Sequence, residues 1–159
     1  MEIIYLADRP EWLQTLAGWH HGQWSHYNPG DTLQKRVHRM QSHLGRRRIP
    51  TTFVAVSGSA LWGSASLVEH DMHDRVELSP WLASVYVAPE HRRQGVGSAL
   101  VNRVVTEAQQ LGFATLYLFT PDQENLYSRL GWNVLERTRY MGLPAVIMSI
   151  ALGRGSDFF

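Results

Sequence analysis

The 159-residue sequence contains no cysteine and only one lysine, Lys35. The absence of cysteine excludes disulfide bonds, thiolate metal sites and a cysteine nucleophile within this chain. Residues 1–10 lack the basic and apolar pattern of a signal peptide, and no apolar run approaches membrane-spanning length. The formal net charge is only +1, so the composition requires neither a nucleic acid nor an anionic membrane as partner. These features favour a cytoplasmic enzyme or binding domain.

The composition is otherwise that of an ordinary globular protein, with 44% hydrophobic and 18% charged residues. A chain of this length is long enough to bury a substantial core in one domain. We therefore expect a single domain over residues 1–152, followed by a frayed C-terminal tail over residues 153–159.

Hydrophobic periodicity and turn residues predict the element order β-α-α-β-β-β-α-β-α-β-β. The predicted strands cover residues 2–7, 52–56, 60–68, 82–87, 114–119, 132–140 and 145–152. Asp31 is predicted to cap the second helix, with Leu33 on its buried side. Hairpins near both ends and a helical crossover in the middle require parallel and antiparallel neighbours in one sheet. The predicted fold class is therefore α+β (mixed α/β), with a central mixed sheet of about seven strands.

The most informative stretch runs from Trp81 to Leu111. An apolar strand leads through a basic, glycine-containing turn, Arg92-Arg93-Gln94-Gly95-Val96-Gly97, into a long amphipathic helix. A helix that begins at such a turn points unpaired backbone N–H groups, and the positive end of its dipole, at whatever lies above it. Glycines allow close approach and arginines add charge, so the turn predicts a phosphate or pyrophosphate site.

This turn resembles the acyl-CoA-binding motif of the GNAT (Gcn5-related) N-acetyltransferase superfamily, which Arg92, Gly95 and Gly97 match. The segment Leu126–Trp132 resembles the late Tyr-x-x-x-Gly-aromatic segment of the same superfamily. The element order agrees as well, so the resemblance covers nearly the whole chain and implies a sheet splayed between its fourth and fifth strands. The run Thr120–Gln123 and the Trp-Leu pair before the central strand also resemble the actin N-terminal acetyltransferase group, a short likeness that does not fix the substrate.

The resemblance implies acetyl-CoA as cosubstrate, held by the strand end and the turn. Backbone N–H groups from Arg93 to Ser98 would cradle the pyrophosphate, and Arg92 would add charge. The end of the central strand would pair with the pantetheine amides as an added strand, and the N–H of Val87 would polarise the acetyl carbonyl. Asn125 is a further candidate hydrogen-bond partner. The predicted contact set is Val85, Tyr86, Val87, Arg92, Arg93, Gln94, Gly95, Val96, Gly97, Ser98, Asn125 and Tyr127.

For the chemistry, the resemblance implies Tyr127 as the general acid that protonates the leaving thiolate. Histone-type members carry a glutamate eleven residues before the first motif position, but here that count gives Trp81, which cannot accept a proton. Glu77, just before the central strand, is the candidate general base. Glu69, His70 and water remain alternatives.

The resulting hypothesis is acetyl transfer from acetyl-CoA to a primary amine, on a small molecule or a peptide N-terminus, by direct transfer in a ternary complex. Without cysteine, no cysteinyl acyl-enzyme intermediate can form. The alternative is a CoA-binding sensor or interaction module without efficient catalysis, suggested by the missing carboxylate at Trp81.

Other partners are either disfavoured or open at this point. Arg46–Arg48 is too short, and too poor in interleaved aromatics, to predict nucleic-acid binding. No membrane partner and no metal are expected, because His70, Asp71, His73 and Asp74 lack further ligands elsewhere to complete a site. Pairing of the final strands between subunits leaves a homodimer open.

The segment Trp19–Tyr27 is dense in aromatic residues and histidines. It is either part of an acceptor-binding wall, because aromatic faces suit an amine, or a helix end packed on the core. Together with Tyr140–Gly142, it is the region in which an acceptor site would be sought.

Overall fold

Seven strands form one mixed sheet in the computed structural model, which describes residues Met1–Gly153. The strands are β1 (Glu2–Tyr5), β2 (Thr51–Ser57), β3 (Ala60–Val68), β4 (Trp81–Val87), β5 (Thr115–Thr120), β6 (Asn133–Tyr140) and β7 (Leu143–Ala151). Their order across the sheet is β1-β2-β3-β4-β5-β7-β6. The α-helices are α1 (Leu13–Trp24), α2 (Leu33–Met40), α3 (Val96–Gln110) and α4 (Glu124–Arg129). The predicted fold class and element order are confirmed.

The sheet consists of two antiparallel halves that meet at one short parallel contact. Strands β1 to β4 are antiparallel neighbours, and β7 pairs antiparallel with both β5 and β6. Between the halves, β4 and β5 are in register only at Trp81 and Tyr117, where the Tyr117 N–H also donates to the Pro80 carbonyl at 3.0 Å. Beyond this point the two strands diverge, so the predicted splay is observed.

Helix α3 packs its apolar face on the sheet, as its spacing predicts. Leu100, Val101 and Val104 are fully buried in the main core cluster together with Phe53 and Leu116. This packing holds the N-terminus of α3 at the end of β4, where the two halves of the sheet separate.

Helices α1 and α2 are built differently from the sequence prediction. The glycines at positions 18 and 22 predict that the first helix fades around Gly18 to Gly22. Helix α1 instead continues to Trp24, because Leu16 and His20 keep one face buried. The cap of α2 is Thr32, whose Oγ1 accepts from the Lys35 N–H at 3.1 Å, and not Asp31. Leu33 is exposed, contrary to the prediction.

Strand limits differ by a few residues. Strand β1 ends at Tyr5 because a 3-10 turn, Leu6–Asp8, replaces its predicted last residues. Pro144 lies inside β7 and not in the preceding turn. The pairing of β7 with β5 does not extend to Pro144, so its missing N–H interrupts no hydrogen bond on that side.

The described part of the chain has no helix that is both long and apolar enough to cross a membrane. The predicted tail lies outside the described residues except for Gly153, whose carbonyl accepts from Gln109 Nε2 at 2.7 Å.

Candidate active site

A groove of about 1480 Å³ opens where β4 and β5 diverge. One part of it is formed by β4, the start of α3 and α4, and the other by α1, α2, the β3–β4 loop and the end of β6. Pockets for a single drug-sized ligand usually measure about 300–1,000 Å³. This groove therefore has room for a long cofactor and a second substrate.

Strand β4 carries a bulge where it lines the groove. Between the pairs Ser64–Tyr86 and Ser66–Ala83, β3 advances two residues while β4 advances three. Ser84 takes a left-handed backbone, with φ +55°, and its carbonyl accepts from Ser64 Oγ at 3.2 Å. Such a bulge bends a strand and leaves backbone groups without a ladder partner. The predicted pantetheine contacts Val85, Tyr86 and Val87 all lie at the groove.

The basic turn adopts the conformation that exposes the N-terminus of α3. Arg93 and Gly95 have φ values of +64° and +85°, and Gly95 is the N-cap. The N–H groups of the first helical turn, Val96 to Ser98, have no partner within the helix. Arg92, Arg93, Gly95 and the residues from Val96 to Ser98 line the groove. Gln94 does not, and its side chain contacts the Glu90 carbonyl at 3.4 Å.

Arg92 makes its contacts within the protein. Its Nε donates to the Val87 carbonyl at 2.8 Å, and its guanidinium carbon lies 5.5 Å from the centre of the Tyr86 ring. Arg92 therefore ties the end of β4 to the basic turn. The Val87 carbonyl, a backbone group of the predicted pantetheine-binding strand end, is already occupied by this contact.

Tyr127 lies on α4 with its side chain in the groove wall and is only 7% exposed. Its ring packs edge-on against Trp132, with centroids 6.1 Å apart. Burial, reinforced by the charge of Asp122, raises the pKa of Tyr127 to about 12. The phenol is therefore protonated at neutral pH, which is the state a proton donor needs.

Two predicted site residues do not reach the groove. Asn125 is exposed on α4, and Glu77 is exposed in the loop before β4; neither lines the groove. Trp81 is fully buried, and its Nε1 donates to the Leu78 carbonyl at 2.7 Å, so it is a core residue. Glu69 and His70 do line the groove, with largely exposed side chains.

Asp71 is a further candidate site residue, which the sequence pattern does not single out. It lies in the β3–β4 loop and lines the groove; the residue as a whole is half-buried, but its carboxyl group is deeply enclosed. Burial raises the pKa of Asp71 to about 7, against an opposing effect of the Arg36 charge. The sequence placed Asp71 only in a run of poor metal ligands. Within residues 1–153, no three His, Asp or Glu residues converge on a metal position.

Aromatic side chains from three separate elements form a wall beside Asp71. Tyr27 stacks on Tyr140 with ring centroids 5.7 Å apart, and Phe119 meets both rings edge-on at 5.6 and 5.3 Å. His73 Nδ1 lies 2.8 Å from the Tyr140 hydroxyl. Burial and nearby acids, Asp71 among them, raise the pKa of both tyrosines. The C-terminal part of the Trp19–Tyr27 segment therefore faces the groove.

The α2 side of the groove is basic. Arg36 lines the groove, and Arg39 forms a two-point ion pair with Asp31 at 2.8 and 2.7 Å. His20 and His43 are nearby but neutral, because burial, with smaller contributions from neighbouring positive charge, lowers their pKa values to about 3 and about 4.

Comparison with known proteins identifies the family. The model of the acetyltransferase (GNAT) domain matches residues 49–134, more than half of the chain, from before β2 to the start of β6. A search of curated protein sequences finds no match. Because the family match covers more than half of the chain, the chain belongs to the GNAT acetyltransferase family. It is an N-acetyltransferase whose acetyl donor is acetyl-CoA.

Solved structures share the fold over nearly the whole chain. An aminoglycoside 6'-N-acetyltransferase complexed with coenzyme A is 17% identical, with a TM-score of 0.72 over 95% of this chain and 97% of its own. A ribosomal-protein-alanine N-acetyltransferase from Brucella melitensis is 20% identical, with a TM-score of 0.71 over 96% and 100%. The protein yncA from Salmonella typhimurium, solved with acetyl-CoA, is 19% identical, with a TM-score of 0.68 over 97% and 95%. At sequence identities of 17–20%, the similarity to these structures establishes only that the fold is shared.

Proposed function

We propose that the protein transfers an acetyl group from acetyl-CoA directly to a primary amine, within a ternary complex. The observation that carries this proposal is the N-terminus of α3, which opens into a two-substrate groove beside the bulged end of β4. The acceptor is either a small molecule or a peptide N-terminus. Both kinds are named among similar structures, as aminoglycoside and ribosomal-protein-alanine acetyltransferases.

Acetyl-CoA binds along β4 and the basic turn in this proposal. The N–H groups of Val96, Gly97 and Ser98 receive the pyrophosphate, supported by the helix dipole and by the charge of Arg93. Arg92 acts by holding the strand end, because its Nε is bonded to the Val87 carbonyl. Gln94 and Asn125 are given no role in this proposal, because neither lines the groove.

The reaction requires a neutral amine and a protonated leaving group. Asp71 accepts the proton of the acceptor ammonium, and a pKa near 7 suits that task at neutral pH. The amine nitrogen attacks the acetyl carbon, a backbone N–H of β4 stabilises the oxyanion, and the carbon–sulfur bond breaks. Tyr127 donates its phenolic proton to the departing thiolate. The nitrogen, which is positively charged after the attack, loses its second proton to solvent as the amide forms. Exchange with solvent then removes the proton from Asp71 and returns one to Tyr127.

This proposal moves the general base from Glu77 to Asp71. Glu77 is exposed and lies outside the groove, whereas Asp71 faces it from an enclosed position. The alternative of a CoA-binding sensor was suggested by the missing carboxylate at Trp81. In this proposal the carboxylate of Asp71 takes the place of that missing group. The homodimer and the cytoplasmic location stay predictions.

The cofactor assignment is tested by calorimetry with CoA. We expect wild-type protein to bind CoA and Gly95→Trp to lose binding, because an indole would fill the cradle. Gly58→Trp is the matched control: Gly58 also has a positive φ, +58°, but lies in the β2–β3 turn away from the groove. If the wild-type protein does not bind CoA, or Gly95→Trp binds it as well as the wild type, the assignment is wrong.

The activity itself is tested by a thiol-release screen with acetyl-CoA over amino acids, polyamines, aminoglycosides, arylalkylamines and peptides. Release of CoA together with a mass gain of one acetyl group on an amine supports the proposal. CoA binding without acetylation of any amine would favour the sensor alternative.

A further inference from the structure

Two side chains of opposite charge face the acceptor part of the groove from different elements. Arg36 projects from α2 and Asp71 from the β3–β4 loop, and both line the groove. Each affects the pKa of the other, so their charges interact across the groove. Yet no ion pair within 4.0 Å joins them among the described residues.

The positive charge of Arg36 is poorly matched by the protein. Its side chain is 14% exposed, and its nearest carboxylate oxygen, on Asp31, is 3.8 Å from Nη2. Asp31 already accepts two short hydrogen bonds from Arg39. The Nε atom of Arg36 is buried without a hydrogen-bond partner. The guanidinium is thus under-neutralised while part of its side chain stays exposed, so an anion that reaches the exposed part gains a charge-assisted contact.

Other groups around Arg36 do not neutralise it. His20 and His43 are uncharged at neutral pH, and Arg39 adds positive potential. Asp71, in turn, lies near the phenols of Tyr27 and Tyr140, which are neutral. Among the charged groups that line this part of the groove, Arg36 and Asp71 are therefore a cationic and a carboxyl group that form no ion pair with each other.

We propose that the acceptor is an aminocarboxylate, such as a free amino acid, whose carboxylate binds Arg36 while its amine is directed to Asp71. The proposal rests on the proposed acetyl transfer and names the substrate class of that site. A zwitterion matches both groups at once. A polycation places positive charge against Arg36, and a simple amine leaves Arg36 without a partner. The aromatic wall of Tyr27, Phe119 and Tyr140 would contact the rest of the molecule.

The first test compares matched acceptors with wild-type protein. For each amino acid, thiol release is measured beside the amino acid amide and the amine that lacks the carboxylate, for example phenylalanine, phenylalaninamide and phenethylamine. We expect kcat/KM to be about 10- to 150-fold higher for the free amino acid, the range for a charge-assisted hydrogen bond. Equal or better acetylation of the analogues without a carboxylate would overturn the inference while leaving the acetyltransferase proposal standing. No acetylation of any amine would instead reject the proposed function.

The second test removes the positive group. Arg36→Gln should reduce kcat/KM for amino acids by about the same factor beyond its effect on the amine analogues, which lose only the influence of Arg36 on the pKa of Asp71. Arg36→Lys should restore part of the loss. Arg46→Gln is the matched control, because Arg46 pairs with Asp8 on the exposed surface away from the groove.

A measurement of CoA affinity tests the other explanation, that Arg36 binds the cofactor and not the acceptor. Calorimetry should give the same CoA affinity for wild type and Arg36→Gln. A large loss of CoA affinity in a folded variant, with no change in acceptor preference, would assign Arg36 to the cofactor and overturn the inference. If Arg36→Gln does not fold, the acceptor series with wild-type protein decides alone.

Discussion

The two ends of the groove are built in different ways. At the proposed cofactor end, the groove is lined mainly by one continuous stretch, from β4 to the first turn of α3, and the binding groups that we propose there belong mostly to the backbone. At the acceptor end, single side chains arrive from α1, α2, the β3–β4 loop and the end of β6. The cofactor end is therefore set by local chain geometry, and the acceptor end by tertiary packing. Substitutions at the two ends should separate CoA affinity from turnover.

The largest effect is expected for Asp71→Asn. Loss of the general base should lower kcat/KM by about 100- to 10,000-fold, the usual contribution of a positioned acid or base. CoA affinity, measured by calorimetry, should remain at the wild-type value because Asp71 lies at the acceptor end. A variant that keeps most of its activity would remove Asp71 from the base role.

The pH dependence gives a second view of Asp71. Since the base must be ionised, kcat/KM of the wild type should rise as pH increases through about 7.

The free energy of unfolding should instead decrease over the pH range in which Asp71 ionises. Burial raises the pKa of Asp71 above its unfolded value of 3.8, so the folded state retains the proton longer. The free energy of unfolding therefore loses a contribution between about pH 4 and 7.

Above pH 7, Asp71→Asn should then melt at a higher temperature than the wild type, because it removes the buried charge that opposes folding. Arg36 counteracts that charge, and Tyr27 and Tyr140 are neutral, so the effect should increase in Arg36→Gln. The test is thermal unfolding, at pH 5 and pH 8, of the wild type, Asp71→Asn, Arg36→Gln and the double variant. It measures the destabilisation caused by the Asp71 charge and the part of it that Arg36 offsets. Identical melting temperatures at pH 8 would show that the carboxyl is solvated.

A smaller loss is expected for Tyr127→Phe. We expect kcat to fall about 10-fold, with little change in CoA affinity, because a thiolate is a good leaving group and depends less on its proton donor. The buried ring and its packing on Trp132 are retained, so the variant should fold. Unchanged turnover would exclude Tyr127 as the acid.

Gly95→Ala should affect the opposite end of the groove. A side chain at φ +85° costs about 1–2 kcal/mol, so the turn should relax and CoA affinity should fall about 5- to 30-fold. The kcat at saturating acetyl-CoA should change little. A variant that loses kcat but not CoA affinity would contradict the division of the groove into two ends.

The smallest effect is expected for Glu77→Gln, which is also the control for Asp71→Asn. Glu77 is exposed and outside the groove, so kcat/KM should stay within about twofold of the wild type. A loss comparable to that of Asp71→Asn would return the base assignment to Glu77.

The sequence-based predictions succeeded where neighbouring residues act together. The element order, the amphipathic face of α3 and the glycine-containing turn before it all depend on local spacing, and all are observed. The predictions for α2 were weaker: Asp31 was expected to act as a cap, but it is used by Arg39, eight residues further along the chain. A carboxylate can serve either role, and only the position of Arg39 decides between them.

The basic turn from Arg92 to Gly97 and its helix were determined by the sequence itself, because an N-terminal cradle needs only a left-handed glycine and the first N–H groups of a helix. Family membership follows from the same local patterns. The acceptor end was decided by the tertiary structure, because burial and charge depend on what surrounds a side chain. Asp71 has an ordinary sequence context, and its burial in the groove wall is what raises its pKa to about 7, against the opposing effect of the Arg36 charge.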